Sequence, residues 1–135
     1  LNKKILIIDD EPDVLKYLTT VLSDFGNLVI CAESSQDGWT KMLKDKPDLI
    51  TLDIMMPGQS GISFYLKAKA DDRFAEIPII ILSGIKEAGE FDFRELVPDP
   101  NIPAPEAFIE KPINVRQFIE TIDNILTNPK NIEKT

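Results

Sequence analysis

Five short apolar runs recur along the chain, at residues 4–8, 28–32, 48–52, 79–82 and 107–109, and they leave few folds open. Each is too short for a buried helix, and the first four are rich in Ile, Val and Leu, the signature of strands covered on both faces. Between the runs the apolar spacing becomes helical. Val14, Leu15, Leu18, Val21, Leu22 and Phe25 follow Pro12, a good first helical residue, and Gly26 stops that helix. Ser34 or Ser35 caps a helix carrying Trp39, Met42 and Leu43, which ends before Pro47. Pro57, Gly58 and Gly61 mark a loop before a helix with Ile62, Phe64, Leu66 and Ala70. Val115, Phe118, Ile119, Ile122, Ile125 and Leu126 form a last amphipathic helix. Strands alternating with helices predict an α/β fold, a parallel sheet with right-handed crossovers and helices on both faces.

The chain has 135 residues, 43% of them hydrophobic, which suits one domain. The expected domain spans 4–127, with a polar tail over 128–135. No apolar run approaches the roughly 20 residues of a membrane helix, and no signal peptide is visible, so a cytoplasmic location and no membrane partner are expected. The chain begins at Leu1 rather than Met, which leaves open both a fragment and a further output domain outside the given sequence. A net charge of −8 repels nucleic-acid phosphates, so direct nucleic-acid binding is not expected. There is no histidine, which removes the usual zinc sites and Ser-His catalysis. Cys31, the single cysteine, reads as a buried structural thiol.

In a parallel α/β sheet, ligands bind beyond the carboxyl ends of the strands. Asp9 and Asp10 follow the first run, Asp53 the third, Ser83 and Gly84 the fourth, and Lys111 and Pro112 the fifth. Three carboxylates gathered at one sheet edge repel one another. A hard divalent cation resolves that conflict, and Mg²⁺ takes few carboxylates and keeps waters that a phosphate can replace. Taken alone, Asp9, Asp10 and Glu11 would read as a solvated turn; the other strand ends argue for a site.

From Lys4 to about Leu126 the sequence resembles the receiver domains of two-component response regulators. The matching elements are Asp9-Asp10, the segment Asp53-Ile54-Met55-Met56-Pro57 leading to Gly61, Ser83-Gly84, and Lys111-Pro112. The resemblance implies a flavodoxin-like doubly wound sheet of order 2-1-3-4-5. It implies that Asp53 is the phosphoacceptor, forming an acyl phosphate. Asp10 would bind Mg²⁺ directly, Asp9 directly or through water, with Asp53 and the Met55 backbone carbonyl completing the protein ligands. Lys111 would pair with Asp53 at rest and with a phosphoryl oxygen afterwards, and Lys111-Pro112 would be cis. Ser83 would donate its hydroxyl to the phosphoryl group, Gly84 would leave it room, and Phe108 would rotate inward as an aromatic switch. The donor would be a histidine kinase or histidine phosphotransfer protein. The signal would pass to an output partner or an effector domain, and phosphorylation could produce a homodimer.

The stretch between Ser83 and Lys111 departs from the pattern. It is long and proline-rich: 86–96 reads as a short helix, whereas 97–105 cannot form one. That loop either serves a particular partner or is a neutral insertion. Met55 and Ile85 place apolar side chains beside the expected phosphoryl site, which predicts a long-lived acyl phosphate. Two other readings stay open, a Mg²⁺-dependent phosphohydrolase with an aspartyl nucleophile and a degenerate scaffold. Met at position 55 argues against the hydrolase, which usually needs a second acid there.

Overall fold

A computed structural model describes residues 2–56, 61–84 and 93–128. The element order is β1 (Lys4–Ile8), α1 (Pro12–Asp24), β2 (Leu28–Ala32), α2 (Ser35–Asp45), β3 (Leu49–Asp53), α3 (Gly61–Ala70), β4 (Ile79–Ser83), α4 (Phe93–Leu96), β5 (Ala107–Glu110) and α5 (Val115–Leu126). The five strands form one sheet in the order β2-β1-β3-β4-β5, and every pairing is parallel. This is the doubly wound order expected.

The three central strands are the most apolar because both their faces are covered. Ile5, Leu6, Ile7 and Ile8 of β1, and Ile79 to Leu82 of β4, have no exposed surface. Successive side chains alternate between two cores. One contains Ile5, Ile7, Leu49, Ile80 and Leu82 under α1 and α5. The other contains Leu6, Ile8, Ile50, Leu52 and Ile81 under α2, α3 and Phe93. Burial of one such side chain contributes about 1.5–3 kcal/mol.

Local signals set the helix ends. Pro12 opens α1. Gly26, at φ 84°, reverses the chain after it and donates its N–H to the Ser23 carbonyl at 2.9 Å. Ser34, not Ser35, caps α2, accepting from the Asp37 N–H at 3.0 Å. Lys46 closes that helix in the left-handed region, at φ 42°, before Pro47. Asn114 caps α5 by accepting from the Gln117 N–H at 3.0 Å.

Four expectations need adjustment. Strand β3 starts at Leu49, because the Asp48 carboxylate turns back to accept from the Lys4 N–H at 2.8 Å. Gly61 is the first residue of α3 and not part of the preceding loop. Cys31 is only half-buried, since β2 is an edge strand, and its Sγ lies 3.0 Å from Thr19 Oγ1. Of the helix expected over 86–96, only the turn Phe93–Leu96 lies among the described residues. Pro57, Gly58, Ile85, the stretch 86–92 and most of the tail lie outside them. The 97–105 stretch has no regular helix, as its prolines require.

Candidate functional site

The carboxyl ends of β1, β3, β4 and β5 meet at one edge of the sheet. Asp9 follows β1 directly; its N–H donates to the Ala32 carbonyl at 3.0 Å, which continues the ladder and fixes the side chain inward. Asp53 ends β3 and is 2% exposed, while Asp9 is fully buried. Each carboxylate is oriented by a backbone amide two residues on: Glu11 N–H to Asp9 Oδ1 at 2.9 Å, and Met55 N–H to Asp53 Oδ1 at 3.0 Å. Gly61 makes this packing possible. A Cβ there would lie 2.5 Å from the Asp53 carbonyl oxygen and 2.7 Å from Ile54 Cα, so α3 approaches the end of β3 closer than any other residue permits.

Lys111 enters from the end of β5. Its N–H donates to the Ser83 carbonyl at 2.8 Å, and the peptide to Pro112 is cis, as expected. The ammonium Nζ reaches Asp9 Oδ2 at 2.8 Å and Asp53 Oδ2 at 3.3 Å. Asp53 is therefore one of its partners and Asp9 the nearer one. A third carboxylate, Glu11, lies at 3.3 Å through Oε1. Glu11 occupies the N-cap position of α1 yet makes no side-chain capping bond; its side chain turns to Lys111 instead. Its only sequence signal was its place in an acidic triplet.

Carboxylate oxygens of Asp9, Asp10, Glu11 and Asp53 all lie within 4.8 Å of one another. Four carboxylates around one ammonium leave three negative charges in excess. Burial is the main influence raising the Asp9 pKa, and the Asp53 charge adds to it; the bonds from Lys111 and the Glu11 amide pull the other way. For Lys111, burial works against the charge, but the bond to Asp9 and the Asp53, Asp9 and Glu11 carboxylates outweigh it and raise its pKa. Such a set of hard oxygen donors fits a Mg²⁺ ion, which would offset most of the excess charge.

Ser83 lies beside this cluster at the end of β4. It is 4% exposed, and its hydroxyl has no hydrogen-bond partner among the described residues. A buried hydroxyl left unpartnered costs free energy unless a ligand satisfies it. At Gly84 an added Cβ would meet no described atom within 4 Å. Phe108 is 45% exposed on β5, facing outward. Met55 is 58% exposed next to Asp53. Thus Asp9, Asp10, Asp53, Ser83, Gly84 and Lys111 share one edge, with Phe108 at its flank.

Comparison with known proteins identifies the family and the fold. Residues 5–123 match the family model of the response regulator receiver domain. The chain is 33% identical over 126 residues to the phosphate regulon transcriptional regulatory protein PhoB of Pseudomonas aeruginosa, covering 93% of this chain and 52% of that one. It is 29% identical to protein PilH of the same organism, covering 91% of this chain and 97% of that one. It therefore spans about half the length of the first relative and nearly all of the second. A CheY-like response regulator receiver domain protein from Methanospirillum hungatei, 25% identical, superposes over the whole of both chains with a TM-score of 0.81. The chain belongs to the response regulator receiver family. Domains of this family are signalling modules of two-component systems, not enzymes of the usual kind; histidine kinases phosphorylate them and they act on output partners. Among the described residues no helix is long and apolar enough to cross a membrane.

Proposed function

We propose that this chain accepts a phosphoryl group on Asp53 and uses it to switch protein–protein contacts. The observation that carries this reading is the buried Asp53 carboxylate sharing Lys111 with Asp9, inside a cluster of oxygens 4.8 Å across. An oxygen of Asp53 attacks phosphorus; the bond from phosphorus to the donor's imidazole nitrogen breaks, and its electron pair leaves with the imidazole. Asp10, Asp53 and the Met55 carbonyl, with Asp9 directly or through water, would hold Mg²⁺, which when bound offsets charge on the transferring group and orients it.

Lys111 then turns from its carboxylates to a phosphoryl oxygen. The Ser83 hydroxyl, which has no partner among the described residues, donates to another, and Gly84 leaves room for the group. Phosphorylation adds about −1.5 to −2 charge, and the shift of Ser83 opens space for Phe108 to turn inward. The receiver unit spans 4–127, with 128–135 as a tail. Its donor is a histidine kinase or histidine phosphotransfer protein in the cytoplasm. Its target is a separate output protein, a second copy, or an effector domain beyond the given sequence. With a net charge of −8 the chain itself does not hold nucleic acid.

Incubation with acetyl phosphate and Mg²⁺, followed by intact mass measurement, tests the reading. A persistent gain of one phosphoryl group is expected. Multiple turnover without accumulation would indicate a phosphohydrolase, and no gain would indicate a degenerate scaffold.

A further inference from the structure

The proline-rich stretch between α4 and β5 is a built element. Its start is pinned by Arg94, whose Nη1 donates to the Asp99 carbonyl at 3.0 Å and the Val97 carbonyl at 3.5 Å. Its end is pinned to β4: Glu106 Oε1 accepts from the Ile79 N–H at 2.8 Å, and the Glu106 N–H donates to the Ile79 carbonyl at 3.1 Å. Between those ends, the Tyr65 hydroxyl of α3 donates to the Pro103 carbonyl. Tyr65 is fully buried. Burial first, and the Glu106 carboxylate second, push its pKa up, so the hydroxyl stays a donor.

The Tyr65 ring does not act alone. Phe93, 4% exposed, meets it edge-on at 5.1 Å and 74°. The Phe108 ring stands 6.2 Å from that of Phe93 with the planes at 56°. In the β4–β5 ladder Phe108 is level with Ile81 and Ser83 with Glu110, so Phe108 and Ser83 stand one pleat apart on the same face of the sheet. Three rings thus run from the neighbour of Ser83 to the hydroxyl that holds the loop.

We propose that the 97–105 segment is a phosphorylation-released flap: Phe108, acting through Phe93, sets whether Tyr65 holds Pro103. This rests on the reading of Asp53 and Ser83 given above. When Phe108 turns toward Ser83 it withdraws from Phe93. Phe93 loses its cover and shifts against Tyr65, and the hydroxyl leaves the Pro103 carbonyl. Release uncovers Val97, 3% exposed at rest, and the half-buried Ile102, giving an apolar surface present only in the modified state.

Amide hydrogen exchange of a peptide spanning 97–106 tests this in the full chain with Mg²⁺, with and without acetyl phosphate, and with the modified fraction read by intact mass. In the parent, exchange is expected to rise about five- to tenfold on modification, the effect of one lost hydrogen bond. Tyr65→Phe, which removes only the hydroxyl, should exchange that much faster at rest and gain nothing further. Phe93→Leu should keep the loop protected in both states. Tyr65→Phe matching the parent at rest would overturn the tether. A parent that gains mass while its loop is unaltered would overturn the coupling alone. A parent that gains no mass would overturn the Asp53 reading and the coupling with it, while the resting Tyr65→Phe comparison still reports on the tether.

Discussion

Replacing Gly61 by Ala probes how closely the site depends on the packing beneath it. The new Cβ would stand 2.5 Å from the Asp53 carbonyl oxygen and 2.7 Å from Ile54 Cα. Both atoms are backbone, so no side-chain rotation relieves the contact, and α3 or the end of β3 must retreat by about 0.9 Å to reach an ordinary separation of 3.4 Å. Ala favours a helix over Gly by up to about 1 kcal/mol, whereas overpacking costs about 1–3 kcal/mol. The clash wins by up to about 2 kcal/mol, a fall in Tm of up to about 7 °C for a domain of this size. Displacing Asp53 also takes Oδ2 from its 3.3 Å contact with Lys111, and phosphoryl uptake from acetyl phosphate should slow by about tenfold. Thermal unfolding and the uptake rate by intact mass are the assays. Gly84→Ala is the control: its Cβ meets no described atom within 4 Å, so Tm should hold within about 1 °C while uptake falls through obstruction of the phosphoryl group. A Gly61→Ala protein as stable and as fast as the parent would refute the reasoning.

Other expectations are open to direct measurement. Thr51, at the centre of β3, buries a hydroxyl with no partner among the described residues; Thr51→Val should raise stability in urea by about 1 kcal/mol, and a loss would mean the hydroxyl is satisfied. Mg²⁺ at a hundredfold excess over its Kd should stabilise the fold by about 2.7 kcal/mol at pH 7. Because the Asp9 pKa is raised above 3.8, its charged form costs the metal-free fold stability at neutral pH, and that cost is relieved as pH falls through the raised value. The Mg²⁺ gain should therefore fade on acidification before pH 3.8 is reached; a gain unchanged down to that pH would contradict the burial of Asp9. Met55→Asn, at the exposed position beside Asp53, should shorten the lifetime of the acyl phosphate by admitting or orienting water; equal lifetimes in parent and variant would dismiss a role for Met55.

The strands were legible because their apolar runs are short and β-branched and lie between helical spacings, and the site because its acids, hydroxyl and amine each follow such a run. What sequence spacing cannot carry is contact across the fold. Glu11 and Lys111 are 100 residues apart and meet only once the sheet has brought β1 and β5 to one edge. Cys31 looked like a core residue because the edge position of β2 follows from strand order, which no local pattern encodes. The turn Phe93–Leu96 is too short for a helical period to register. The Tyr65–Pro103 bond joins a helix to a loop through a hydroxyl that periodicity reads only as an aromatic core position.

The most direct test of the phosphoacceptor reading is to locate the modification. After treatment with acetyl phosphate and Mg²⁺, borohydride reduction of the acyl phosphate followed by fragment mass spectrometry should mark residue 53 alone, with no mark in Asp53→Asn or when the metal is chelated. A mark on another residue, or one that persists in Asp53→Asn, would contradict it.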